Sequence, residues 1–121
     1  MNSSNIIKND NSDILHFNQE LLFEKLGENI EFYKEILKLG ETDLIENKQK
    51  LIENFKNNHN IEVLNVIHKL KGTAGSMNFE HIKTIISKFD ENSKKHSINQ
   101  EFIDEIISEI DYLLNIITKQ G

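Results

Sequence analysis

Ile61-Glu62-Val63-Leu64-Asn65-Val66-Ile67-His68-Lys69-Leu70-Lys71-Gly72-Thr73-Ala74-Gly75-Ser76-Met77 is the stretch whose reading decides the fold. Advancing about 100° per residue, as an α-helix does, gathers Val63, Val66, Ile67, Leu70, Ala74 and Met77 into one apolar stripe. A helix with one such stripe buries it, so the segment predicts a helix packed against others. His68 falls roughly 160° from the centre of the stripe. Leu64 lies one turn before it, Gly72 one turn after, Gly75 two turns after, and Lys71 slightly to one side. The histidine therefore faces solvent. Two glycines in a helix interior cost about 1 kcal/mol each relative to alanine, and neither lies on the stripe where a close helix crossing would require it. Their placement predicts a surface kept bare for something outside the helix.

Outward from this segment the same periodicity continues. The chain has no proline and five glycines, and its apolar residues recur at three and four rather than at two, which predicts an all-α fold without strands. A short helix is expected over about 18–26, ended by Gly27. A long one follows over about 28–55, with Tyr33, Ile36, Leu37, Leu44, Leu51, Ile52 and Phe55 in phase and Gly40 as a bend that does not break it. Asn60 is the expected cap of the histidine helix, and Gly75 to Asn78 its end. Phe79, Ile82, Ile85, Ile86 and Phe89 mark the inward face of a further helix. Ser97 and Gln100 read as a capping box before the last, whose stripe is Phe102, Ile103, Ile106, Ile110, Leu113 and Ile117. Four amphipathic helices with short links predict an antiparallel, up-down four-helix bundle with a short extra N-terminal helix. Residues 1–15, rich in Asn, Ser and Lys, are expected to be a disordered tail, and residues 16–121 the single domain.

Composition excludes several functions. The chain of 121 residues, 37% hydrophobic, has room for one core. It has no cysteine, hence neither a disulfide framework nor a thiolate metal site. No apolar run approaches the roughly 18 residues of a spanning helix, and the polar opening is not a signal sequence. The expectation is a cytoplasmic protein with no membrane partner, and the initiating Met1 favours a free-standing one. A net charge of −6 argues against nucleic acid as the main partner. No glycine-rich phosphate loop of the nucleotide-binding kind is present, and no acidic cluster has the spacing of a magnesium site. Direct use of ATP is therefore not expected.

The run from Ile67 to Phe79 resembles the active-site helix of histidine-containing phosphotransfer domains, whose signature is a histidine followed by x-Leu-Lys-Gly, a small hydroxyl residue and alanine. Leu70, Lys71, Gly72, Thr73 and Ala74 fill those places after His68. A looser match of apolar positions extends over residues 28–118. The family commonly has glycine ten residues after the histidine, where this chain has Asn78. Asparagine is the best non-glycine occupant of a left-handed cap, so the same turn is expected.

The resemblance implies a phosphorelay carrier rather than an enzyme with its own ATP site: His68 would take a phosphoryl group from a receiver-domain aspartate and pass it to another receiver. The receivers, on response regulators and hybrid sensor kinases, would supply the aspartate, its acidic pocket and the Mg²⁺, while this chain would bind no cofactor or metal. Imidazole suits the task, because with a reference pKa of about 6.5 it offers a neutral nitrogen near neutral pH. Lys71, three residues on, can reach back to the roughly two negative charges of a phosphohistidine, and Gly72 leaves space for the partner. Leu64, Lys69, Gly75 and Ile61 are the expected docking residues, and the chain is expected to be a monomer. The competing reading is a non-catalytic helical module that docks on a receiver or sensor kinase without carrying phosphate; the intact His68 and Lys71 argue against it. His16, His59, His81 and His96 lack such company and are expected to be solvated, as are the acidic pairs Glu28 with Glu31 and Glu105 with Glu109.

Overall fold

The computed structural model describes residues 6–8, 14–91 and 98–120. Among them, strands β1 (Ile6–Lys8) and β2 (Leu15–Asn18) precede helices α1 (Gln19–Lys25), α2 (Ile30–Lys56), α3 (Asn60–Met77), α4 (Glu80–Glu91) and α5 (Gln100–Gln120). The fold is an antiparallel bundle of α2 to α5, with α1 as the short additional helix. Both α2 and α4 pack against α3 and α5, so the four close in chain order around one core.

The buried positions of α2 are Tyr33, Leu37, Gly40, Leu44, Asn47 and Leu51, alternating steps of four and three that keep one face inward. Ile52, one residue beyond that series, is turned about 100° away and is exposed, contrary to its expected place in the core. The helix is unbroken at Gly40. A Cβ there would lie 2.6 Å from Met77 Cε, so the glycine admits the end of α3 against α2. Asn29 caps α2 by accepting from Phe32 N–H at 3.0 Å.

All six residues of the sequence stripe in α3 are buried. His59, not Asn60, holds the cap position, and its side chain makes no capping bond. Asn58, at φ 58°, turns the chain there instead. Asn78 ends α3 in the left-handed conformation, φ 60° and ψ 40°, as the sequence predicts. It also ties the N-terminal elements down: its carbonyl accepts from Asn18 N–H at 2.9 Å, and its side-chain oxygen accepts from Lys25 Nζ at 2.9 Å. Phe79, Ile82, Ile85 and Ile86 are fully inward, and half-buried Phe89 stacks on Phe102 at 4.2 Å. Of the expected capping box, Ser97 lies outside the described residues, as does His96. Asn99 accepts from Phe102 N–H at 2.8 Å at the start of α5.

Two expectations are corrected at the N-terminal end. A strand pair is present, β1 antiparallel to β2, although residues 1–5 and 9–13 of the expected tail lie outside the described residues. β2 carries Phe17 into the core, edge-on to Phe79 at 4.9 Å. It also carries His16 inside. That residue is 4% exposed, and its Nδ1 lies 2.7 Å from Oε2 of Glu109, itself 5% exposed. Tyr112 and half-buried His81 pack against the His16 ring. Neither His16 nor Glu109 is the solvated surface residue the sequence suggests. Burial pushes the Glu109 carboxyl up to about 7, with the His81 charge opposing and the Glu105 charge adding, and burial lowers His16 below 6.5. Both shifts favour the uncharged forms, and the two side chains share one hydrogen bond between Glu109 Oε2 and His16 Nδ1.

Candidate functional site

The outward face of α3 follows from its buried face. With Val66, Ile67 and Leu70 held in the core, His68 is forced into solvent. It is exposed and has no hydrogen bond or ion pair to a described residue. Gly72 and Gly75 are exposed as well, and a Cβ built on either meets nothing within 4 Å. Neither glycine is there to make room inside this fold, in contrast to Gly40. The surface C-terminal to His68 is thus bare backbone. N-terminal to it the face is apolar: Leu64 is 46% exposed and Ile61 74%. Lys69 is exposed beside them. The structure therefore brings His68, Gly72, Gly75, Leu64 and Ile61 to one face, as their spacing predicts.

Three further residues join this surface without any signal in the sequence. Lys71 Nζ donates to Asp90 Oδ2 at 2.7 Å, from α3 across to the last turn of α4. Thr73, at the small-hydroxyl position, donates its hydroxyl proton to the Asp43 carboxylate of α2. That bond pins the helix one turn past His68 to its neighbour, so the hydroxyl serves geometry rather than the imidazole. The open space at Gly72 continues into a groove of about 610 Å³ between α1, α2 and α3, lined mostly by apolar side chains such as Leu26, Ile36 and Leu39. Asp90, Asp43 and Leu39 depend on how neighbouring helices are set against α3, and a single sequence does not carry that register. Among the described residues, no three His, Asp or Glu side chains are grouped to hold a metal ion, and no helix is long and apolar enough to cross a membrane.

Bundle and face together define a small helical-bundle domain that presents a histidine to solvent beside a strip of naked helix backbone. The chain belongs to the Hpt domain family, which residues 35–116 match. Hpt domains are phosphorelay histidine phosphotransfer domains, phosphoryl carriers rather than enzymes in the usual sense, and they interact with receiver domains. The fold is also that of the crystal structure of the HPt domain from a sensor hybrid histidine kinase of Shewanella. That match has a TM-score of 0.72 and 17% identity, and covers 85% of this chain and 91% of the other. No curated protein matches the chain in sequence.

Proposed function

We propose that His68 is the phosphoryl acceptor of this Hpt domain, receiving the group from the aspartyl phosphate of one receiver domain and yielding it to the aspartate of another. The observation that carries the reading is the unencumbered His68 ring on a helix face cleared by Gly72 and Gly75. In the step, a ring nitrogen lone pair attacks phosphorus, the acyl phosphate P–O bond breaks, and the aspartate carboxylate departs with that electron pair. The proton on the other ring nitrogen is shed to water. Return transfer is the same step reversed toward a new carboxylate, so the nucleophile must be accessible from the same side both times. A solvent-facing imidazole next to bare backbone meets that demand.

Lys71 supplies charge to the phosphoryl oxygens, Gly72 the clearance for the receiver, and Leu64 and Ile61 an apolar contact, with Gly75 and Lys69 at its edge. Burying even part of Leu64 and Ile61 against a partner is favourable at about 25 cal/mol per Å² of apolar surface. On this reading the Mg²⁺ of the reaction belongs to the receiver, and this chain works as a cytoplasmic monomer without a cofactor. The test is transfer from a labelled, phosphorylated receiver domain. Wild-type protein should take up label, His68→Gln none, with helicity unchanged. Lys71→Ala should slow transfer or shorten the phosphohistidine lifetime by the equivalent of about 1 to 3 kcal/mol. Undiminished labelling of His68→Gln would overturn the assignment.

A further inference from the structure

Lys71 is not idle in the unphosphorylated fold. Its ammonium group sits 2.7 Å from the Asp90 carboxylate, and both side chains are about half exposed, 43% and 47%. The residue best placed to meet the phosphoryl charge on His68 therefore already has an anionic partner. Resting on the carrier reading above, we propose that Asp90 is a positioning residue that competes with the phosphoryl group for Lys71, weakening phosphohistidine and favouring its onward transfer.

Two anions compete for one cation. Before phosphorylation, Lys71 neutralises Asp90 and both groups keep part of their hydration. A phosphoryl group on His68 adds about two negative charges one helical turn from Lys71. The lysine then either gives up its contact with Asp90, leaving a carboxylate and a dianion on neighbouring helices, or stays and gives the phosphoryl group a weaker contact. Each outcome raises the free energy of the phosphorylated state relative to the unphosphorylated one. The half-exposed pair is weak enough to break without disturbing the bundle, so the exchange is reversible. A carrier has to release its cargo as readily as it accepts it, and a lysine with no competitor would hold the phosphoryl group more tightly. Asp90 comes from α4, and the packing of α4 on α3 sets its distance to Lys71.

The competition acts through Lys71, which separates it from a general charge effect. Full-length protein, Asp90→Asn, Lys71→Ala and the double variant are phosphorylated with phosphoramidate. The decay of phosphohistidine at position 68 is then followed by peptide mass mapping at low and high ionic strength. Transfer of the parent protein with a phosphorylated receiver domain is measured alongside. Asp90→Asn should lengthen the half-life by about two- to fivefold at low ionic strength, the range of a weak exposed ion pair. The gain should shrink as salt screens the groups, and in the Lys71→Ala background it should vanish. Equal half-lives in parent and Asp90→Asn overturn the inference, and so does an equal gain with Lys71 removed. Failure of the parent to accept label at His68 from a receiver overturns the carrier reading and the inference with it; normal transfer with an unchanged Asp90→Asn half-life overturns the inference alone.

Discussion

His68 and His16 have the same side chain in the same small bundle and opposite surroundings. His68 is on the solvent side of α3 with no bonded partner among the described residues, and the backbone beside it is bare. His16 is carried by β2 against α4 and α5, with Glu109 on one nitrogen, Tyr112 against the ring and His81 at its edge. On the proposed reading, availability and not identity separates the acceptor histidine from a structural polar group. Burial that would block an incoming phosphoryl group makes the His16–Glu109 hydrogen bond worth having, because a buried polar group costs free energy unless it is paired.

The largest effect expected to probe this contrast is at the bare surface. Gly72→Gln places a long side chain where nothing now stands, so receiver-to-histidine transfer should be lost while the thermal melt stays near wild type. An unfolded variant would make Gly72 a packing residue, and normal transfer would show that the clearance is not used. Next in size is the buried histidine. His16→Ala leaves the Glu109 carboxyl without its partner inside the bundle and should cost about 1 to 3 kcal/mol of stability, read by denaturant unfolding, with transfer to His68 retained at temperatures where the variant is folded. A variant as stable as wild type would show that the pair is incidental.

The α3 stripe, the outward His68 and the left-handed Asn78 were all legible in the sequence, because each follows from local spacing or from a residue's own backbone preference. His16 was not. Its partner is 93 residues away, and nothing local marks a histidine that will be buried. Glu109 misled for a related reason. It looks like a surface acid beside Glu105, but it falls between Ile106 and Ile110 on a helix whose inner face is extended at that level by β2. The strand pair itself escaped because four residues are too few for an alternation of two to be read above chance. Asp90 and Asp43 escaped because helix-to-helix register is a property of the packed bundle. The sequence suggests a bend at Gly40, but the reason for the glycine is the Met77 side chain that leans on it from α3.

A smaller effect follows from the two shifted groups. Glu109 keeps its proton in the fold up to about pH 7, while the unfolded chain releases it near 4.5, so this group alone lowers stability as pH rises through that window. His16 is depressed below 6.5 in the fold, so it alone lowers stability as pH falls below 6.5. Below 6.5 the two act in opposite directions, folded Glu109 holding a proton that the unfolded carboxyl has released and folded His16 holding its own less tightly than the unfolded histidine does. The pair's contribution should therefore change less with pH there than just above 6.5. It should decline from 6.5 to about 7, where the unfolded histidine has lost its proton before folded Glu109 does. Melts of wild type and Glu109→Gln across this range isolate the contribution. The variant should lose the step above 6.5 and begin to weaken already below it. Parallel profiles would show that the pair is not protonated in this way.

The smallest expected effect returns to the helix face. Gly72→Ala adds a Cβ that meets nothing and should stabilise the isolated domain by up to about 1 kcal/mol through helix propensity and a less flexible unfolded chain. The same change at Gly40 presses on Met77 and should forfeit that gain. Equal gains at both positions would erase the distinction between a glycine kept for the outside and one kept for the core.

The most direct test of the contrast is to locate the phosphoryl group itself. The full-length protein is incubated with a phosphorylated receiver domain, and the modified residue is found by peptide mass mapping under alkaline conditions, where phosphohistidine survives. The account predicts the group on His68, with His16, His59, His81 and His96 unmodified. Phosphate on any other residue, or none on the protein while the receiver is competent toward another Hpt domain, would contradict it.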